Sequence, residues 1–318
     1  MIRNVFLLWC ALYTLASAQP PSAADLQNAE LHVLPVQGNT YMMVGPGGNI
    51  TIQTGKDGVL LVDTMFAPLA QRIAAEIKKL SNQPIRYIID THVHGDHVGG
   101  NEPLQKMGAA GASQVMGGGA TVIAHNNVLN RMTTPVTGSQ APPPQTGLPN
   151  DEYDTPTKDF FFNGEAVVIF HEPAAHTDGD SIVFFRRSDV ISAGDVFVTT
   201  SFPFIDTASG GSYQGYVAAL EKLVDIIIPV YGQDGGTLVI PGHGRISNLG
   251  DVLNYREMVI VVGDRIKHMI EAGMTLEQVK AAKPTFDYDP VYGARAGAAD
   301  RFIEETFETL RSPPGEAQ

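Results

Sequence analysis

The sequence contains a single cysteine, Cys10, among its 318 residues. This cysteine lies in an N-terminal segment that we expect to be removed, so the mature chain would have no disulfide and no thiolate metal ligand. Charged residues are also few, at 17%, but the 43% of hydrophobic residues allow a sizeable core and exclude a disordered polyelectrolyte. The formal charge of −13 argues against a nucleic-acid partner, because phosphate backbones need clustered Lys and Arg.

The N-terminal apolar run is too short to cross a bilayer. It covers residues 5–15, follows Arg3, and precedes the small-residue sequence Ala16-Ser17-Ala18. This order is typical of a secretory signal peptide that is cleaved before Gln19. We therefore predict a signal peptide at residues 1–18, a periplasmic or secreted location, and no membrane association after cleavage. The alternative is a buried N-terminal helix.

Strand-like and helix-like segments alternate along the rest of the chain. Apolar residues at spacings of three and four predict helices over residues 69–80, 216–227, 255–269 and 302–310. Strands are predicted at residues 40–44, 49–54, 59–63, 85–90, 121–124, 166–170, 181–186, 190–193 and 237–240. This alternation favours an α/β architecture, here in one domain over residues 19–318. Residues 133–157 are rich in Pro and Gly and are interpreted as a connecting loop or a lid.

Four potential metal ligands lie within six residues, directly after the predicted strand 85–90. They are His92, His94, Asp96 and His97. Imidazole and carboxylate are the ligands that zinc accepts when thiolate is missing, and four such groups so close together would repel or strain one another without a cation. We expect His92 and His94 to face one ion and Asp96 and His97 another. Gly95 between them is expected to allow a sharp turn where a Cβ would collide.

Three further ligand candidates lie downstream, each beside a glycine or at a predicted strand end. They are His176, Asp195 and His243. A lone histidine at such a position is more often a surface or capping residue, so each candidate is weaker alone than the four-residue cluster. Asp63, at the end of strand 59–63, is expected to hydrogen-bond a ligand histidine. Asp178 or Asp180 is interpreted as a group that fixes the ring of His176 or as part of a turn.

The order of these motifs resembles the metallo-β-lactamase superfamily. The resemblance rests on Thr91-His92-Val93-His94-Gly95-Asp96-His97, a later His176, Gly194-Asp195, and Pro241-Gly242-His243-Gly244, and it covers about residues 31–310. It implies a four-layer αβ/βα sandwich of two mixed β-sheets flanked by helices, with two Zn²⁺ ions at one edge. It also implies the ligand sets: His92, His94 and His176 for one zinc, Asp96, His97 and His243 for the second, and Asp195 bridging both.

The resemblance further implies an exported zinc hydrolase. A hydroxide held between the ions would attack a small amide or ester carbonyl, and Asp96 would act as the catalytic residue that orients the nucleophile or relays its proton. The partner is a small molecule with a carbonyl group, and β-lactams are the first substrates to test. Asp195 stands where well-known resistance lactamases have a cysteine. The alternatives are therefore a lactonase or thioesterase of the same superfamily, an iron-using enzyme similar to sulfur dioxygenases, or a non-catalytic binding protein.

Overall fold

The computed structural model describes residues 22–110, 119–134, 146–228 and 236–311. Residues 1–18, predicted as a signal peptide, lie outside this part of the chain. The strands are β1 (His32–Gln37), β2 (Thr40–Val44), β3 (Ile50–Gly55), β4 (Gly58–Val62), β5 (Ile85–Ile89), β6 (Thr121–His125), β7 (Asp151–Tyr153), β8 (Thr157–Phe162), β9 (Glu165–Glu172), β10 (Asp180–Phe185), β11 (Val190–Ser192) and β12 (Leu238–Ile240).

These strands form two mixed sheets in the described residues. The first has seven strands in the order β1-β2-β3-β4-β5-β6-β7, and the second has five in the order β12-β11-β10-β9-β8. In the first sheet β1 to β4 pair antiparallel, whereas β4 to β7 pair parallel. In the second sheet β8 to β11 pair antiparallel and β11 pairs parallel with β12. Parallel neighbours need long crossover connections, and helices supply several of them.

The longer helices begin and end close to the predicted apolar stripes. The helices are α1 (Ala23–Asn28), α2 (Ala70–Leu80), α3 (Gly95–Val98), α4 (Asn101–Met107), α5 (Asn126–Thr133), α6 (Tyr213–Ile226), α7 (Leu249–Glu271), α8 (Leu276–Ala282), α9 (Asp289–Tyr292) and α10 (Ala298–Arg311). The four predicted helices correspond to α2, α6, α7 and α10. Within the described residues, no helix combines the length and the apolar content that a bilayer crossing requires.

Three apolar clusters define four layers. Leu61 and Ile73 belong to a cluster between the first sheet and α2. Leu60, on the opposite face of β4, belongs to the cluster between the two sheets, since side chains alternate along a strand. Tyr216 and Phe302 belong to the cluster that joins the second sheet to α6, α7 and α10. The order helix, sheet, sheet, helix confirms the predicted αβ/βα sandwich.

The nine predicted strands are all present, with ends that shift by two residues at most. The prediction missed β1, β7 and β8. β1 is a largely exposed edge strand that contains Pro35, so it lacks a clean apolar alternation. β7 lies within the segment 133–157, where Asp151–Tyr153 pairs with β6. Residues 135–145 of that segment lie outside the described residues, and its role as a lid stays a prediction.

Candidate metal centre

The predicted ligands meet at one edge of the sandwich, where strands of both sheets end. His92 and His94 lie in the loop after β5, and Asp96 and His97 lie in the short helix α3 that follows. His176 follows β9, Asp195 lies in a single helical turn after β11, and His243 follows β12. The first four come from the seven-stranded sheet and the last three from the five-stranded sheet. The complete ligand set therefore forms only when the two sheets pack against each other.

The ligand atoms form three overlapping groups. Within each group, one potential ligand atom per residue lies within 4.8 Å of the others. The groups are His92, His94 and His176; His92, His97 and Asp195; and Asp96, His97 and His243. The structure thus brings together all seven residues that the sequence predicted as ligands. Asp195 lies between the two outer groups, with its carboxylate 3.8 Å from His176 Nε2 and 3.5 Å from His243 Nε2.

The inward-facing atoms suit a cation. His92 Nε2, His97 Nε2 and Asp195 Oδ1 are buried and have no hydrogen-bond partner. Buried polar atoms rarely lack a partner, so three such atoms in one cluster favour a site that binds a cation. Imidazole nitrogens and carboxylate oxygens around one centre are the donor set of zinc in proteins. The residues present therefore fit the metal site that the sequence predicts.

A network around Asp63 fixes two of the rings. Asp63 Oδ1 accepts from the backbone N–H of Thr91 at 2.8 Å, and Oδ2 accepts from the Thr91 hydroxyl at 2.8 Å and from His97 Nδ1 at 2.7 Å. Because the single Thr91 hydroxyl proton points to Asp63, the Thr91 oxygen accepts from His92 Nδ1 at 3.0 Å. When these two rings are neutral, both histidines present an unprotonated Nε2 to the centre, as metal ligation requires. The expected contact of Asp63 with a ligand histidine is confirmed.

Two other groups fix the remaining rings of the first ligand set. Asp206 Oδ2 accepts from His94 Nε2 at 2.8 Å, which leaves His94 Nδ1 to face the centre. The Phe204 carbonyl accepts from His176 Nδ1 at 2.6 Å. The expectation that Asp178 or Asp180 fixes His176 is wrong. Asp180 accepts from the backbone and hydroxyl of Thr177, and Asp178 pairs with Arg131 at 2.6 Å.

The charges of the site also call for a cation. Burial alone would lower the pKa of His97, but Asp195 and Asp63 outweigh it and raise that pKa to about 9. Burial likewise opposes the charge of His243, yet Asp195 and Asp96 raise its pKa to about 10. Protons on these rings thus balance the carboxylates when no metal is bound. Since a ligand histidine must be neutral, metal binding has to displace those protons.

Five of the seven predicted ligands line an open cavity of about 440 Å³, and these are His94, Asp96, His176, Asp195 and His243. Its other lining groups include Gly95, Phe204, Arg295 and Arg301. A Cβ added at Gly95 would meet nothing within 4 Å, so the expected collision there is wrong: Gly95 simply faces open space. The close approach occurs at Gly48 instead, where an added Cβ would lie 2.3 Å from the ring of His97.

Histidines outside the seven ligands do not join the centre. His125 and His171 stack on each other with ring centroids 3.5 Å apart. His125 Nδ1 accepts from the backbone N–H of Asn127 at the start of α5. Neither ring belongs to a potential ligand group. Sequence reasoning missed Asp206, Arg295 and Arg301, because each lies far along the chain from the His-rich motif and has no motif of its own.

The chain is similar to lactamases and to alkylsulfatases. A linear primary-alkylsulfatase from a Pseudomonas species is 22% identical over 79% of this chain and 53% of the relative. A metallo-β-lactamase type 2 from Bacillus cereus is also 22% identical, over 67% of this chain and 73% of the relative. A stereoselective inverting sec-alkylsulfatase from a Pseudomonas species superposes with a TM-score of 0.60 at 14% identity, over 90% of this chain and 51% of that chain.

This chain spans about half the length of each alkylsulfatase, at 53% and 51%. The fold, by contrast, is shared over most of the present chain. The sequence model of the metallo-β-lactamase superfamily matches residues 35–243, from β1 to the last predicted ligand. That match covers more than half of the chain, and the chain therefore belongs to the metallo-β-lactamase superfamily.

Proposed function

We propose that this chain is a two-zinc hydrolase of small molecules with an amide or ester carbonyl, and that β-lactams are its first substrates to test. One zinc would be held by His92, His94 and His176, and the second by Asp96, His97 and His243, with Asp195 between them. The observation that carries the proposal is the convergence of seven potential ligands, three of them with a buried and unpartnered ligand atom, next to one open cavity.

The bound zinc ions would supply a hydroxide nucleophile at neutral pH and polarise the carbonyl oxygen. Asp96 lines the cavity, and its carboxylate lies 3.4 Å from His243 Nε2. Burial opposes ionisation of Asp96, but His243 and His97 outweigh it and lower its pKa to about 2. Asp96 therefore stays ionised and can orient the nucleophile or carry its proton towards the leaving group.

Replacing Asp96 tests the mechanism. We expect Asp96→Ala to lose β-lactam hydrolysis by at least about 100-fold, because both a ligand and a proton carrier are removed. The measurement is turnover of a chromogenic cephalosporin, with zinc content determined by elemental analysis on the same sample. Unchanged turnover would rule out the role of Asp96. If zinc-loaded protein left β-lactams, lactones and simple aryl esters all untouched, the proposed substrate class would be wrong.

Sulfate-ester hydrolysis is the second candidate. It is supported by the similarity to a primary-alkylsulfatase, which covers 79% of this chain, against 67% for the Bacillus cereus lactamase. Thioesters and lactones remain in the same substrate panel, since the superfamily ligand set serves them equally. An iron-using relative is separated by metal analysis and by oxygen consumption, which a zinc hydrolase does not show.

Export is part of the proposal. It is supported by the apolar run at residues 5–15 and by Ala16-Ser17-Ala18 after it. Expression of the full chain in a bacterial host and N-terminal sequencing of the product test it. We expect the mature protein to begin at Gln19 and to leave the cytoplasm, whereas a product that retains Met1 in the cytoplasm would contradict export.

A further inference from the structure

Two arginines from the C-terminal part of the chain reach the cavity that contains the ligands. Arg295 precedes α10 and Arg301 lies in its first turns, and both line the same cavity as His94, Asp96 and His243. Neither arginine belongs to the superfamily match, which ends at residue 243. The positive charges are notable in a chain whose formal charge is −13. They place two guanidinium groups in one wall of the site.

In the described part of the chain, the guanidinium groups of Arg295 and Arg301 donate no hydrogen bond. Arg295 is exposed and lines the cavity, and among the described residues it takes part in no salt bridge within 4.0 Å. Arg301 Nε is buried without a hydrogen-bond partner, and its contact with Glu305 Oε1 is long, at 3.7 Å. Glu305 is instead held by the backbone N–H of Ile205, which donates to its Oε2 at 2.8 Å. Guanidinium donors normally find oxygen partners, so this pair is ready to receive an anion.

The ring of Phe204 fixes Arg301 beside the ligands. The guanidinium carbon of Arg301 lies 4.2 Å from the Phe204 ring centroid. The ring of His94 also stacks on Phe204, with the ring centroids 5.7 Å apart and an interplanar angle of 14°. A planar guanidinium held over a ring keeps its edge free for a bidentate contact. Phe204 therefore contacts both the guanidinium group of Arg301 and a ring of the predicted ligand set.

The positive charges of Arg295 and Arg301 also repel each other. Burial lowers the pKa of Arg301, Glu305 opposes this effect, and the charge of Arg295 adds to the lowering. Burial raises the pKa of Glu305 to about 8, so its carboxylate compensates Arg301 only weakly near neutral pH. Two like charges at one cavity destabilise the protein unless an anion lies between or beside them. Among the described residues, Arg295 has no carboxylate partner, and the carboxylate partner of Arg301, Glu305, lies 3.7 Å away.

We propose that Arg295 and Arg301 form a binding subsite for an oxyanion of the substrate, either a carboxylate or a sulfate, beside the ligand cluster. This inference rests on the proposed hydrolase function of the same cavity. The scissile bond would lie over the ligands while the anionic group contacts the arginines. The substrate is then an anionic small molecule, and neutral esters or lactones of the same size are poor substrates.

The kinetic test compares one substrate with and without its charge. A chromogenic cephalosporin with a free carboxylate and its methyl ester are assayed with the zinc-loaded full-length mature protein. We expect the acid to be preferred in kcat/KM by about 10- to 100-fold, mostly through KM, because charge-assisted bidentate contacts are strong. Arg295→Ala and Arg301→Gln should each bring this ratio close to one. Arg301→Gln keeps a side chain over Phe204, and Arg295 is exposed, so folding should survive both changes.

Arg311→Ala is the matched control. Arg311 ends the same helix and also lies over a phenylalanine, with its guanidinium carbon 5.4 Å from the Phe307 ring, but it does not line the cavity. Arg311→Ala changes the net charge by the same amount as Arg295→Ala and Arg301→Gln. It should leave the ratio of kcat/KM for the acid to kcat/KM for the methyl ester unchanged. If Arg311→Ala lowers the ratio as much as Arg295→Ala does, a general charge effect explains the preference and the subsite is wrong.

A binding measurement separates this inference from the hydrolase proposal. Calorimetric titration of the zinc-loaded protein with benzoate and with phenyl sulfate needs no turnover. We expect at least about 10-fold weaker binding to the Arg295→Ala and Arg301→Gln variants at unchanged zinc content. Equal affinity, or no binding to the unaltered protein, overturns the subsite. If the probes bind in an arginine-dependent way but cephalosporins are not hydrolysed, the proposed substrate class is wrong and the anion subsite still stands. The probe that binds more tightly shows whether the subsite prefers a carboxylate or a sulfate.

Discussion

We expect Asp63→Asn to lower the affinity for zinc while the protein still folds. Asp63 is buried and adopts a left-handed backbone conformation, φ 66°, which asparagine also tolerates. With the amide oxygen kept on the Thr91 N–H, the amide NH₂ group would face two donors, the Thr91 hydroxyl and His97 Nδ1–H. His97 must then move its proton to Nε2. That proton would point at the cation, so His97 would no longer be a ligand.

The expected loss of zinc affinity follows from the hydrogen bond that Asp63 makes to a ligand histidine. Loss of a group that orients a ligand histidine lowers metal affinity by about 10- to 100-fold, or about 1.4 to 2.7 kcal/mol. A competitive titration with a chromogenic zinc chelator measures this change, and circular dichroism checks the fold. Zinc affinity within about twofold of the unaltered protein would refute the proposed tautomer control.

Asp189→Asn is the control for this change. Asp189 also has a left-handed backbone, φ 55°, and also accepts a threonine hydroxyl, from Thr237 at 2.7 Å. It lies at the start of β11, at the opposite end of that strand from Asp195, and contacts no ligand ring. Its replacement should therefore leave zinc affinity unchanged. A comparable loss in both variants would indicate a general effect on stability.

Three further changes probe other parts of the structure. Gly48→Ala should displace the ring of His97, because the added Cβ would lie 2.3 Å from it, and elemental analysis should find about one zinc ion fewer per chain. Asp206→Asn should weaken zinc binding by about 10-fold through the His94 ring, measured with the same chelator. Burial raises the pKa of Glu172 to about 7, above its unfolded value, so the folded state holds the proton more tightly and stability falls as pH rises towards 7. Glu172→Gln should remove this loss, at most about 3 kcal/mol, and thermal melts should show a larger gain at pH 8 than at pH 5.

The sequence predicted most of the fold because the central strands are continuous apolar runs. Val59 to Val62 are all fully buried, which makes β4 easy to recognise. β1 escaped prediction because an edge strand needs only one buried face and tolerates proline. The ligand positions were predictable because the site repeats one local pattern: a strand ends, a glycine or turn follows, and a polar side chain faces the edge of the sheet.

The groups that orient the ligands were harder to predict. Asp63 was expected because it ends a strand at the same edge of the sheet. Asp206 lies in a loop between sheet and helix, and its contact with His94 joins residues 112 positions apart. Arg301 comes from a helix whose apolar stripe identifies it only as a core element. Such contacts depend on tertiary packing, which a local sequence pattern does not encode.

The origin of the ligands in both sheets gives the metal pair a mechanical role. Bound ions would cross-link the two halves of the sandwich, because each half supplies part of the ligand set. The first sheet and its loops supply His92, His94, Asp96 and His97, and the second supplies His176, Asp195 and His243. Chelation should then lower the melting temperature as well as abolish turnover, because ligand binding to the folded state adds to its stability. The same metal–ligand bonds would therefore both hold the two sheets together and form the reactive centre.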